Sequence, residues 1–203
     1  MVISHYGLGM VKVAQGDAVI VFNPIGKGAK ADVVRFGADL ALVSLNEANY
    51  NGVENVSRGD RVPFVINGPG EYEVSGVFIK GWGTSGPDGK INTIYSLVLD
   101  GIKIVHLGAI ASTELPAAAT EGLGAVDIVF APVSGVLEPK QVAKLAADLE
   151  PKLIIPVAIE DEAKLKVFLK ELGAEGTKPV ESLALKRKDL LEKEGQVAII
   201  KSN

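Results

Sequence analysis

Residues 38–52 constrain the fold more than any other stretch. Leu40, Ala41, Leu42 and Val43 form a short apolar run that reads as a buried strand. The chain then turns polar through Ser44, Asn46, Glu47, Asn49 and Asn51 before Gly52. A strand that ends in a polar loop is where α/β folds place their chemistry, because rigid backbone fixes groups that reach into a cleft.

The rest of the chain follows the same grammar. Val11 and Val13 alternate with Lys12, Gln15-Gly16-Asp17 turns, and residues 18–22 form a buried run closed by Asn23 and Pro24. Residues 29–36 predict a short helix leading into the central strand. Residues 61–66 and 77–79 predict strands, and residues 81–90 a Gly-rich loop carrying Trp82. Asp100-Gly101 marks a tight turn between two further strands. Later, Val142, Leu145, Ala146 and Leu149 fall on one helical face behind Pro139. Leu165, Phe168, Leu169 and Leu172 fall on another, which stops at Gly173. Residues 179–185 and 196–200 predict two closing strands. Periodicity alone predicts an α/β or α+β chain of many short strands.

Composition bounds the function. The 203 residues predict one domain, 1–203, with an aliphatic core, since 47% are apolar but only 5% aromatic. A net charge of −4 argues against nucleic acid, and Lys186-Arg187-Lys188 is followed at once by Asp189, as on a solvated face. Residues 1–6 do not read as a signal peptide, and no apolar run reaches the ~20 residues that span a bilayer. Those features predict a cytoplasmic protein that binds neither nucleic acid nor membrane. There is no cysteine, and there are two histidines, His5 and His106.

Several segments together resemble the metallo-β-lactamase-like hydrolases, whose signature is a strand followed by T-H-x-H-x-D-H. Ser44 takes the Thr position, and Leu45, Glu47, Asn49 and Tyr50 take the His, His, Asp and His positions. Gly7-Leu8-Gly9-Met10-Val11 is similar to G-H-x-x-F, and Asn23-Pro24 to D-P. His106-Leu107-Gly108-Ala109 is similar to H-x-G-D, with Ala109 in place of the bridging carboxylate. Ile155-Pro156-Val157-Ala158 is similar to I-P-x-H, with Ala158 in place of the last His. Gly68-Pro69-Gly70-Glu71-Tyr72 matches the G-P-G-E-Y segment of the lactone-hydrolase-like branch.

The resemblance implies a four-layer αββα sandwich of two mixed sheets. It also implies a dinuclear zinc site, which draws most of its ligands from imidazole with thiolate as the usual substitute. Two histidines and no cysteine cannot build that site. The expectation is therefore a degenerate member with no metal, no cofactor and no catalytic residues, retained as a binding or assembly module. Asn23, Glu47, Asn49, Tyr50 and His106 are the candidates for a vestigial pocket, and its small-molecule or protein partner is unknown. The competing expectation is a hydrolase of esters, lactones or phosphodiesters with a non-standard site, working through Glu47, Tyr50 and His106. A lone His at a strand end is more often structural, and His5 is read that way. Residues 160–162 read as helix-capping acids rather than a cation site.

Overall fold

The computed structural model describes residues 1–203. The chain begins with strands β1 (Val2–His5), β2 (Val11–Gln15), β3 (Ala18–Phe22), β4 (Leu40–Leu42), β5 (Phe64–Ile66) and β6 (Gly70–Val74). It continues through β7 (Val77–Ser85), β8 (Ile91–Leu99), β9 (Ile102–His106), helix α1 (Ala117–Leu123) and β10 (Ile128–Pro132). Helix α2 (Pro139–Asp148), β11 (Leu153–Val157), helix α3 (Glu162–Glu171), β12 (Leu183–Ala184) and β13 (Gln196–Val197) complete it.

Two mixed sheets result, one ordered β12-β1-β2-β3-β4-β5 and the other β13-β11-β10-β9-β8-β7-β6. Alternation along each strand decides which layer a side chain enters. Phe22, Leu40 and Leu42 face inward and meet Leu97, Ile104, Phe130 and Ile155 of the second sheet in the central core. Their neighbours Val21 and Ala41 face outward into a smaller apolar cluster. On the other side, Val105, Val129 and Ile154 pack against Leu123 of α1, Val142 and Ala146 of α2, and Phe168 of α3. This is a sandwich of the αββα type, two mixed sheets packed face to face, with all three α-helices on the seven-stranded sheet.

The layer over the six-stranded sheet is irregular chain. The helix expected over residues 29–36 does not form. Val33 and Val34 are β-branched, Gly28 has φ +91°, and Gly37 follows. The segment's donors go elsewhere: Phe36 N donates to Asn55 O and Ala38 N to Val56 O at 2.8 Å. Its apolar side chains, Val34 and Phe36, still pack onto the outward cluster. Residues 81–85 are also not loop. They extend β7 to Ser85, and only residues 86–90 turn. Helix α1 was not expected, because its seven residues show only Ala119 and Leu123 buried, too few to announce a period.

The motif at residues 68–72 is a self-contained turn. The Tyr72 hydroxyl reaches back to Gly68 O at 3.1 Å and Pro69 O at 3.2 Å. Nearby, the buried Tyr95 hydroxyl sits among the carbonyls of Val43, Ile66 and Gly68, and so ties the second sheet to the first. The expected capping at α3 is present, with Asp161 Oδ1 accepting from Ala163 N at 2.7 Å. No helix is long and apolar enough to cross a membrane.

Candidate functional site

Strands β3 and β4 are parallel, as are β9, β10 and β11, so their C-terminal ends open on one face. That face carries Asn23, the loop 44–52, His106, Ser134 and Ala158. Three of the expected candidates meet there around Gly9. A Cβ on Gly9 would lie 3.4 Å from Asn23 Nδ2, 3.7 Å from His106 Cε1 and 3.7 Å from Tyr50 Cε1.

His106 is fully buried and both its ring nitrogens are occupied. Nδ1 accepts from Gly108 N at 2.9 Å, so the proton rests on Nε2, which donates to Gly9 O at 3.0 Å. The ring stacks on Phe22 with centroids 5.2 Å apart and tilts against Phe130 at 5.5 Å. Burial pushes its pKa down to about 4, with the Gly9 carbonyl opposing and His5 adding to the drop. This is a neutral structural imidazole with no free nitrogen for proton transfer.

Tyr50 is half-buried, and its phenol is pushed up to about 12, first by burial and then by the charges of Glu47 and Glu160. At neutral pH it stays protonated. Glu47 and Asn49 do not join the cluster. The Glu47 carboxylate pairs with Lys90 on the turn after β7, and Asn49 Oδ1 accepts from Lys30 N at 3.2 Å. The pair turns the carboxylate toward Lys90, while its charge still acts on the Tyr50 phenol.

The residue that organises this corner is Asn92, which the sequence reading passed over. Its Nδ2 donates to Thr84 Oγ1 at 2.9 Å and Leu107 O at 3.0 Å, and its Oδ1 accepts from Ala109 N at 2.7 Å. Across from it, Ser44 N donates to Asn23 Oδ1 at 2.8 Å, which ties the ends of β3 and β4 together. Two buried atoms here have no partner, Asn23 Nδ2 and Ser44 Oγ. An asparagine within a strand flanked by apolar residues such as Ile91, Ile94 and Leu97 was the available signal. A buried amide must find partners, and these lie in the site loops.

The positions that the resemblance assigns to metal do not fit zinc. Leu45, Ala109 and Ala158 are buried and carry no donor atom. Asn49 and Glu47 are engaged elsewhere, and Tyr50 holds its proton. No group of three or more His, Asp or Glu side chains comes together that could hold a metal ion. The cavity between Tyr50, Ala109, Ser134 and Val136 measures about 20 Å³, room for about one water.

Comparison with known proteins follows the same outline. Residues 3–158 match the family model described as a beta-lactamase superfamily domain. A comparison with curated proteins finds no match. Among solved structures, one similar chain is a proposed zinc-dependent hydrolase of the metallo-β-lactamase superfamily from Thermotoga maritima. It is 26% identical over 98% of this chain and 99% of that one, with a TM-score of 0.75. A proposed metal-dependent hydrolase from Parabacteroides distasonis is 17% identical over 98% and 92%, with a TM-score of 0.66. A metallo hydrolase from Ignicoccus hospitalis is 14% identical over 91% and 99%, with a TM-score of 0.61. The match to the family model and the shared sandwich together place this chain in the beta-lactamase superfamily, with the metallo-β-lactamase fold.

Proposed function

We propose that this chain is a degenerate member of its superfamily, a pseudoenzyme that neither holds zinc nor hydrolyses the family's substrates, and that it is retained as a binding or assembly module. One observation carries the reading: the space at the strand ends is about 20 Å³, walled by Tyr50 and Ala109. A substrate pocket spans roughly 300–1,000 Å³. A metal with its water and an ester would need Tyr50 to leave and donors to replace Leu45, Ala109 and Ala158.

The names of the similar structures favour the competing reading, hydrolysis of esters, lactones or phosphodiesters through a non-standard site. Such chemistry needs a base or a nucleophile within reach of substrate. His106 has both nitrogens engaged, Tyr50 keeps its proton, and Glu47 is paired with Lys90. Elemental analysis of protein purified without an affinity tag tests the proposal. The expected result is no stoichiometric zinc and a melting curve unmoved by a strong chelator. One or two zinc per chain, with melting lowered by the chelator, would overturn it.

A further inference from the structure

Each sheet ends in two strands with no neighbour on their outer side, β12 and β5 in one, β13 and β6 in the other. A bare edge offers unpaired N–H and C=O groups to any other strand, so edges are ordinarily kept short or charged. Strands β12 and β13 are two residues long, and charged residues lie close by, Glu181 and Lys186 around the first and Lys193 and Glu194 before the second. On β6 the guard is charge. Ser75 (φ +51°) and Gly76 (φ +77°) make a two-residue turn, so Val74 and Val77 exchange hydrogen bonds. By alternation, Glu73 and Glu71 turn their backbone groups to the free side. Any antiparallel pairing of this edge with its own copy then sets carboxylate opposite carboxylate, which is unfavourable.

Strand β5 has no such charge. Residues 62–68 include no Asp, Glu, Lys or Arg, and Val62, Phe64 and Val65 are 68%, 54% and 38% exposed. Phe64 N donates to Asp39 O and Ile66 O accepts from Val43 N, both at 2.8 Å. Phe64 and Ile66 thus bond toward β4, and Val65 between them turns its N–H and C=O to the free side. By the same alternation Pro63 O and Asn67 N face that side, and neither finds a partner within the chain. Along the strand the free groups are an acceptor at 63, a donor and an acceptor at 65, and a donor at 67. That order is its own complement about Val65.

We infer that β5 is a self-association edge, at which a second copy of this chain pairs antiparallel about a two-fold axis at Val65. The two Val65 residues exchange N–H···O bonds, and Asn67 N of each copy donates to Pro63 O of the other. The N–H that proline lacks leaves only Asn67 O without a partner, and Asn67 is exposed to water. Phe64 of one copy then lies across from Ile66 of the other, and the apolar strip is covered by its own likeness. Such a contact uses up both edges, so it closes as a pair rather than growing into a fibre. The carboxylates of β6 keep the second sheet from joining in the same way. A foreign strand would have to match both the order of free groups and the uncharged surface, whereas the copy matches them by symmetry. The inference gives the assembly side of the proposed function a surface and a partner, but it holds whether or not zinc is bound.

Sedimentation of the full chain from micromolar to near-millimolar concentration, together with amide hydrogen exchange, tests this. The expected result is a reversible equilibrium of monomer and dimer with no larger species. The Val65 and Asn67 amides should exchange more slowly as concentration rises, while those of Glu71 and Glu73 stay unchanged. A charge at residue 65 meets itself across the axis, so Val65→Lys and Val65→Glu should each weaken the dimer by about tenfold, or ~1.4 kcal/mol. An equal mixture of the two variants should pair again, because the axis then sets Lys against Glu. A monomer throughout the range, a dimer whose Val65 amide is unprotected, protection on β6 instead, or a mixture that pairs no better than its components would each overturn the inference. Should the variants fail to fold, the exchange pattern of the unaltered chain decides alone. Zinc content of the same sample decides the pseudoenzyme reading separately. A zinc-free monomer sinks this edge and leaves that reading standing, and a zinc-bound dimer does the reverse.

Discussion

The strand-end corner built on β8 and β9 and the loop that follows β4 face each other across one site, and their side chains are tied down differently. In the corner every strong donor and acceptor of Asn92 and His106 is used, and the partners are backbone groups of the loops that shape the site. In the loop, Glu47 and Asn49 hang outward on Lys90 and on Lys30 N. The difference shows what held the geometry in place. Bonds to backbone serve the fold whether or not a metal is bound, so the corner needs no ligand to hold its shape. Side chains in the loop make their bonds at the surface, where water can replace each partner.

Glycines set the sharpest test of that contrast. A Cβ on Gly52 would lie 2.1 Å from Ile25 O, and Gly52 N already donates to Pro24 O at 2.7 Å. At Gly108, φ is +67° and a Cβ would lie 2.3 Å from Asn92 Oδ1. The obstacles are backbone and a fully bonded amide, so neither can step aside. Gly52→Ala and Gly108→Ala should each cost more than ~4 kcal/mol or yield no folded protein. Urea denaturation of whatever soluble protein results checks this. A Gly108→Ala variant as stable as the parent would mean the corner is looser than its bonds suggest.

Asn92→Ala comes next. It strands Ala109 N and Leu107 O in a dry environment and leaves Thr84 Oγ1 only the residue-92 carbonyl, and the expected loss is about 3–5 kcal/mol at the usual cost per unsatisfied group. Two-state denaturation measures it. A loss under ~1 kcal/mol would show that the corner is held by packing alone.

The sequence made the frame legible and the outward layer illegible, for a common reason. Strand ends were readable because an apolar run stops at a polar residue, as at Phe22-Asn23 and Val105-His106, although both polar residues stay buried. The sandwich itself came from ordered motifs rather than from any period. Residues 29–36 were misread because local helix pattern says nothing of where backbone donors go, and here Asn55 O and Val56 O take them. The family resemblance groups Asn49 and Glu47 with Asn23, Tyr50 and His106. Their partners, Lys30 and Lys90, lie in other segments, and a motif does not encode distant partners. Tyr50 and His106 meet at Gly9, but the part Tyr50 plays as a filler of space depends on Ala109 and Ser134 across the cavity.

Acid should act on the corner and spare the loop. The folded pKa of His106 is about 4, against an ordinary value of 6.5. As pH falls through 6.5 the unfolded chain takes up its proton first, so stability that is full above 6.5 drains away down to about 4. The full difference amounts to about 3 kcal/mol. Burial lowers His5 as well, so it adds to the loss in the same direction. Denaturation midpoints measured from pH 7.5 to 4 should fall steadily below 6.5. In His106→Gln the midpoint should start lower and fall less steeply. An unchanged slope in that variant would move the acid sensitivity away from the corner.

The smallest effect belongs to Glu47, and its smallness is the point. The carboxylate is about one-third exposed and its partner Lys90 about half exposed, so water screens the pair and the long lysine loses rotamer freedom to make it. Glu47 also sits in a loop whose backbone is held by other bonds: Tyr50 N and Asn51 N both donate to Glu47 O, and Gly26 N donates to Ala48 O. None of these needs the side chain. Glu47→Ala should therefore leave the denaturation midpoint where it was at moderate salt. Lys90→Ala should do the same, and the double variant should add nothing. If Glu47→Ala instead destabilised as Asn92→Ala does, the Glu47 side chain would belong to the frame, and the contrast between corner and loop would fail at the residue chosen to show it.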